Sequence, residues 1–294
     1  MSELPRLYPL LYEELIRRAL QEDLGRAGDL TTDAIVAWGS RATAHVVARA
    51  AGTVAGLEPA LHAVCLLDPE AELELHAPDG TEVELHAPDG TEVEREDVLA
   101  VVRGSARALL SAERTALNLL GRLSGIATAT RGIVRLIEGT GARVVCTRKT
   151  TPGLRTLEKH AVRAGGGMNH RFGLDDGVLI KDNHRALAGG IRPAIERVRA
   201  AVGHMVKVEV EVDTLEELAE ALELGVDAVL LDNMSVDQLR EAVSMARGRA
   251  LTEASGGITP QTARAVAETG VDLLSLGWLT HSSPALDVAL DVQL

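Results

Sequence analysis

The 294-residue chain gathers Arg148, Lys149 and Arg155 into one ten-residue run, CTRKTTPGLR, at 146–155. Arg148, with Thr147 beside it, and the later pair His170 and Arg171 supply forked and planar donors suited to carboxylates. Lys149 and Lys181 are compact ammonium charges, better suited to phosphate oxygens. Together these groups describe a site for a polyanion. Two carboxylates, Glu211 and Asp232, fall in the same half of the chain. Among so many cations they suit Mg²⁺, a developing positive charge, or plain neutralisation of their neighbours. Further on, the run ASGGITP sets Ser255, Gly256 and Gly257 between an apolar run and a helix starting near Thr259, which leaves backbone N–H groups free for a phosphate. Gly277, in SLGWLTHS, supplies a second glycine loop. Glycine also closes ordinary tight turns. It is the succession of two such loops that points to phosphate.

These cations stand out because the chain as a whole is acidic, with 43 Asp and Glu against 30 Lys and Arg and a net charge of -13. That balance excludes a general nucleic-acid or membrane-surface binder, so any anion must be met locally. Lysine is confined to Lys149, Lys159, Lys181 and Lys207, and arginine carries the basic charge elsewhere. Glu13, Glu14, Arg17 and Arg18 interrupt the first apolar stretch, unlike a signal peptide. No run reaches the ~18 uncharged apolar residues of a membrane span. A cytoplasmic protein without a membrane partner is expected. Cys65 and Cys146 are far apart and lack Cys or His partners at metal-ligand spacing, so neither a disulfide framework nor a zinc site is indicated.

The elements that must position these residues follow from periodicity. Leu11, Leu15, Ile16, Ala19, Leu20 and Leu24 recur at helical spacing, and Gly25 ends that helix before a GDLTTDA turn. Residues 42–50 and 98–104 read as strands flanking a helix near 57–67. Between them the decapeptide LHAPDGTEVE occurs twice in tandem, at 75–84 and 85–94. Its Pro-Asp-Gly turn signal predicts an added rung or loop on a β-hairpin, without catalytic content for the copied His76 and His86. The stretch 105–138 is helical, with Ser124 and Gly125 expected to split it into two helices. From there short apolar runs alternate with amphipathic helices six times, which implies a βα barrel or a doubly wound sheet. Polar residues follow nearly every run: Thr147 to Lys149, Lys181, Glu211, Asp232, Ser255 to Gly257, and Gly277. A barrel brings all such ends to one mouth, whereas a doubly wound sheet collects only those at its switch point. The barrel is favoured.

The stretches EDLGRAGDLTTDA, AERTALNLLGRLSGIATAT, TRKTTPGLRTLEKHAV, GGGMNHRFGLDDGVLIKDNH, VEVEVDTLEEL, LLDNMS, EASGGIT and GWLTHS are long, ordered and span nearly the whole chain. Through them the sequence resembles the quinolinate phosphoribosyltransferases. The resemblance implies an α/β fold, with an incomplete α/β barrel preceded by an α+β sandwich domain. The sandwich would occupy residues 1–112, completed by the tail 282–294, and the barrel residues 113–281. It further implies a decarboxylating pentosyltransferase of NAD biosynthesis that joins quinolinate to 5-phosphoribosyl 1-pyrophosphate with Mg²⁺. By the same resemblance Thr147, Arg148, His170 and Arg171 hold quinolinate, with Arg114 reaching in from a second subunit of a homodimer or an assembly of dimers. Lys149, Lys181, Glu211 and Asp232 would surround the phosphoribosyl ring, its pyrophosphate and the metal, and Ser255, Gly256, Gly257 and Gly277 would cradle the 5-phosphate. His160 stands where the family pattern suggests an aromatic residue, and a packing or surface role is expected for it. The pairing of TRKT with NHR favours a dicarboxylate over a nicotinate-specific relative or a transport-operon branch, and an intact Glu211 and Asp232 argue against a silent phosphoribosyl binder. An aldolase-like barrel with a Schiff base at Lys181, which borohydride trapping would reveal, is the rival of another class.

Overall fold

A computed structural model of the chain describes residue 4 and residues 7–68, 82–85 and 88–293, of which 82–85 are described by their backbone. His76, His86 and the greater part of the first decapeptide copy lie outside the described residues. In chain order the elements are α1 (Glu13–Leu24), α2 (Leu30–Ile35), β1 (Arg41–Ala48), β2 (Gly52–Thr53), α3 (Leu57–Leu67), β3 (Glu82–Leu85), β4 (Glu92–Val93), β5 (Val98–Ser105) and α4 (Ala106–Leu136). There follow β6 (Arg143–Val145), α5 (Arg155–Ala164), β7 (Val178–Ile180), α6 (Asp182–Ala188), α7 (Ile191–Ala201), β8 (Val208–Val212) and α8 (Leu215–Glu223). The chain ends with β9 (Ala228–Asp232), α9 (Val236–Ala246), β10 (Leu251–Ser255), α10 (Pro260–Ala267), β11 (Leu273–Ser275), α11 (Trp278–His281) and β12 (Val288–Gln293). Two compact units result. One comprises the residues up to Arg131, Thr150–Gly166 and the tail from Ser282; the other comprises Gly132–Lys149 and Gly167–His281.

The first unit is built on an antiparallel sheet in the order β12-β1-β5-β3. The tail strand β12 lies along β1, with Val46 opposite Leu290. The GDLTTDA stretch, expected as a turn, contains the short helix α2: the Asp29 carboxylate accepts the Thr32 N–H at 3.0 Å and caps it. The expected split of the long helical stretch is also absent, because α4 runs unbroken for 31 residues. Its glycines serve close approach instead. A Cβ at Gly121 would sit 2.9 Å from the Leu286 carbonyl oxygen, and one at Gly125 would overlap that of Pro284. Leu286 N–H donates to the Gly121 carbonyl at 2.9 Å, so the tail is stitched to the helix where side chains are missing. Ser124 faces the backbone between β2 and α3, where its hydroxyl accepts the Ala55 N–H at 3.0 Å. Small residues that read as a breaker are a contact stripe.

A boundary expected at 112/113 therefore falls inside a continuous helix, and the compact units divide at 131/132. Helix α5 belongs to the first unit as well, held by the buried Glu158 carboxylate, which accepts from Arg122 at 2.9 Å and from the Thr151 hydroxyl at 2.8 Å. His160 is not a surface group: its Nε2 meets Asp89 Oδ2 at 2.7 Å. That Asp89, from the Pro-Asp-Gly turn of the second decapeptide copy, also accepts the N–H groups of Gly56 and Leu57 at the start of α3.

The second unit carries six parallel strands in the order β6-β11-β10-β9-β8-β7, with β6 and β7 at the two edges and not paired with each other. The expected six strand-helix repeats are present. The short α6 after Lys181 adds a helix that periodicity did not show, since seven residues are too few to establish a period. β8 is VEVEV and buried throughout, so its valines and its two glutamates occupy opposite faces. Among the described residues no helix is long and apolar enough to cross a membrane.

Candidate active site

The site residues come from the C-terminal ends of the parallel strands. Thr147, Arg148 and Lys149 follow β6, Lys181 follows β7, Glu211 lies near the end of β8, Asp232 and Ser255 end β9 and β10, and Gly277 follows β11. Together with His170, Arg171, Gly256 and Gly257 they line one cavity of about 690 Å³ within the second unit. Every candidate site residue is in that wall except Arg114, and Arg155 of the basic run is not in it either: it starts α5 in the first unit, with its Nε donating to the Thr150 hydroxyl at 3.0 Å. Arg114 lies on α4 in the first unit, with its side chain 67% exposed.

The unpaired edge of β6 explains how His170 and Arg171 arrive. Met168 bridges to Val145 in parallel fashion, its N–H donating to the Val144 carbonyl at 2.7 Å and its carbonyl accepting from Cys146 at 3.1 Å. The next residues thereby reach the mouth. Arg171 is anchored by a bond from its Nη1 to the Gly177 carbonyl at 2.9 Å, just before β7. Burial, and next the nearby charge of Arg148, lower the pKa of Arg171. Arg148 Nε is itself buried without a hydrogen-bond partner. Two guanidinium groups forced together, one with an orphaned donor, mark a place prepared for an anion.

Opposite charges organise the rest. Lys181 Nζ donates to Glu211 Oε2 at 3.0 Å. His170 accepts the Arg171 N–H on Nδ1 at 2.7 Å, which leaves its proton on Nε2. That Nε2 lies 2.9 Å from Glu209 Oε2 and 3.6 Å from Glu253 Oε2. Glu253 is 1% exposed and has its pKa raised to about 7 by burial and then by Glu209, with His170 and the Ser275 hydroxyl acting the other way.

The two glycine loops differ in purpose. Gly256 and Gly257 have φ of 94° and 59°, which a side chain adopts only with strain, and a Cβ at Gly256 would overlap the Asn233 carboxamide. Their backbone leads to α10 with Pro260 at its first turn and Thr259 as its cap. At Gly277 a Cβ would lie 2.7 Å from Lys149 Cδ, so the missing side chain gives the lysine its passage. Trp278 Nε1 donates to the Ile258 carbonyl at 3.0 Å and ties one loop to the other.

Glu253, Asn233, Trp278 and His281 also line the cavity and were not singled out as site residues. Asn233 follows Asp232 with φ of 53°, and its N–H donates to the Ser255 carbonyl at 2.9 Å. An Asp-Asn pair at a strand end was a signal for it. Nothing local distinguishes Glu253 from a surface strand residue.

Fold and site define an incomplete parallel α/β barrel whose mouth is built for a ligand with several negative charges. The models of the N-terminal and C-terminal domains of quinolinate phosphoribosyl transferase match residues 29–124 and 126–291. A probable nicotinate-nucleotide pyrophosphorylase (carboxylating) of Bacillus subtilis is 45% identical over 285 residues, 97% of this chain and 94% of the relative. The nicotinate-nucleotide pyrophosphorylase (carboxylating) of Mycobacterium leprae is 45% identical over 282 residues, 95% of this chain and 96% of the relative. The crystal structure of NadC from Streptococcus pyogenes superposes with a TM-score of 0.91 at 37% identity, covering 98% of this chain and 99% of that one. The chain belongs to the quinolinate phosphoribosyl transferase family.

Proposed function

We propose that the chain transfers the phosphoribosyl group of 5-phosphoribosyl 1-pyrophosphate to the ring nitrogen of quinolinate, with loss of carbon dioxide, forming nicotinate mononucleotide and pyrophosphate for NAD synthesis. The observation that carries this reading is the pairing of Arg148 and Arg171, with a buried unpartnered Nε, in one cavity with a strained glycine turn. Quinolinate carries two adjacent carboxylates, and lifting them out of water requires forked cations at close range.

Arg148 and Arg171 grip the carboxylates, with Thr147 and His170 completing that wall. Ser255, Gly256, Gly257 and Gly277 receive the 5-phosphate through backbone N–H groups. Lys149 and Lys181 meet the pyrophosphate as point charges. The carboxylates of Glu211 and Asp232, on adjacent strands, match the oxygen-donor preference of Mg²⁺ and would hold it. The metal would supply neutralisation of charge on the departing pyrophosphate. Glu211, kept in place by Lys181, also stabilises the positive charge that develops at the ribose carbon as that bond breaks. The chain's own contribution is to fix the ring nitrogen against that carbon and to exclude water. A cytoplasmic setting agrees with Cys65 and Cys146, neither of which is in a disulfide.

The test is a turnover assay with 5-phosphoribosyl 1-pyrophosphate and Mg²⁺, offering quinolinate or nicotinate and quantifying nucleotide and carbon dioxide. Equal amounts of both from quinolinate alone are expected. Nucleotide from nicotinate alone would overturn the dicarboxylate reading.

A further inference from the structure

Loss of carbon dioxide from the position next to the ring nitrogen leaves an electron pair on that carbon, C2, and the product must gain a proton there. The inference below rests on the decarboxylation just proposed. Among the groups lining the cavity, few can give that proton at neutral pH. Arginine does not deprotonate. Lys181 is committed to Glu211, and Lys149 faces the phosphate side between Thr147 and Gly277. His170 has Nδ1 filled by the Arg171 N–H and directs its Nε2–H at Glu209. Glu253 remains.

Its surroundings make it an acid and not a counter-ion. Glu253 sits on β10 opposite the apolar Leu230 of β9 and Leu273 of β11, and Leu179 and Leu230 line the same floor of the cavity. Its Oε2 shares the single Nε2–H of His170 with Glu209, which is the nearer at 2.9 Å against 3.6 Å. Two carboxylates around one donor, almost shut off from water, cannot both hold a charge cheaply, so one proton stays between them. Glu209 has the shorter bond to His170, and Glu253, the more deeply buried of the two, keeps the proton. Its second oxygen, Oε1, is buried without any hydrogen-bond partner. The three side chains also have the composition of a metal site. A metal on Nε2 would move the ring proton to Nδ1, against the Arg171 N–H, which disfavours that use.

We propose that Glu253 is the catalytic acid that protonates C2 of the pyridine ring after carbon dioxide leaves. The bond from C2 to the carboxyl carbon breaks and leaves its pair on C2. The Glu253 O–H then breaks, a C2–H bond forms, and Glu253 is left as a carboxylate. It recovers a proton from solvent as the product departs. The nearby charged groups are Glu209 from β8 and His170 from the segment after Met168, with the Ser275 hydroxyl on β11. Across the cavity stand Arg148, Lys149, Arg171, Lys181, Glu211, Asp232 and, from α11, His281.

The experiment compares wild type, Glu253→Gln and Glu253→Asp in full kinetics with quinolinate over pH 5.5–9, alongside calorimetric binding of quinolinate. In Glu253→Gln, kcat should fall by about 100-fold or more, while KM for quinolinate changes by less than about threefold. Because the acid must be protonated, wild-type kcat should decline as pH rises through about 7, where the Glu253 carboxyl loses its proton. Glu253→Gln should lose that limb, and Glu253→Asp should keep it at reduced rate. A Glu253→Gln enzyme that matches wild type, or that retains the alkaline limb, overturns the proposal. So does loss of quinolinate binding in both variants, which would make Glu253 a structural floor of the pocket. A wild type that yields no nucleotide from quinolinate would overturn the proposed function itself, and this inference with it.

Discussion

Arg148 and Arg171 are an expensive pair to hold without a ligand. Burial and the charge of Arg148 disfavour the charged Arg171, and Arg148 Nε has given up water without gaining a partner. Binding residues of this kind lower the stability of the empty protein. Replacing Arg148 by methionine should therefore leave the unliganded melting temperature equal to that of wild type or raise it by roughly 1–3 °C. Quinolinate, which should stabilise wild type by linkage, should no longer shift it. A variant that kept the full quinolinate-induced shift would remove Arg148 from the binding wall. The cationic half of this site was legible because Lys and Arg beside Thr and Gly at strand ends are conspicuous in an acidic chain. Glu253 was not legible. A lone glutamate in LTEAS resembles the exposed face of a strand, and only the register across β9, which sets Glu253 opposite Leu230 and Glu209 opposite Ala228, brings the two acids to one histidine.

The same limit appears at the level of elements, where glycine has two opposite readings. In α4, intrinsic propensity favours alanine over glycine by about 1 kcal/mol. At Gly132 nothing lies within 4 Å of an added Cβ, so Gly132→Ala should realise most of that gain and raise the melting temperature by roughly 2–4 °C. At Gly125 the added carbon would overlap the Pro284 carbonyl oxygen, which is backbone and cannot swing aside. Gly125→Ala should lower stability by about 1–3 kcal/mol in spite of the same propensity. Thermal unfolding of the two variants side by side checks the pair, and a stabilised Gly125→Ala would show that α4 and the tail do not approach as described. Sequence periodicity recovered the long amphipathic helices and the parallel strands because each buries one face over several turns or pleats. It could not tell a breaker from a contact stripe, since the tail that approaches Gly121 and Gly125 comes from more than 150 residues further along the chain. Nor could it show α2 and α6, which owe their existence to the Asp29 cap and to the polar Lys181–His184 turn.

At the scale of the molecule, the unexpected assignment of α5 and of most of α4 to the first unit matters for how a site could be completed. Arg114, drawn from AERTALN, sits on α4, its side chain largely in solvent, and the acidic group recorded beside it is Glu113 at 4.0 Å. A guanidinium so weakly engaged contributes little to its own unit. The sequence resemblance implies that it enters the cavity of a second copy in a homodimer. In such a dimer two-fold symmetry would make the exchange reciprocal: each chain would supply Arg114 to the other and Arg148 to itself. Arg114→Ala and Arg148→Ala chains should each be nearly inactive as pure dimers. A mixed dimer has one cavity carrying both lesions and one carrying neither. With random exchange about half the dimers are mixed, so the mixture should recover about a quarter of wild-type activity from two dead preparations. The measurement is activity after co-refolding, with mixed dimers counted by differently tagged chains. Mixed dimers present in that proportion without recovered turnover would place both arginines in the same chain's site, or Arg114 in none.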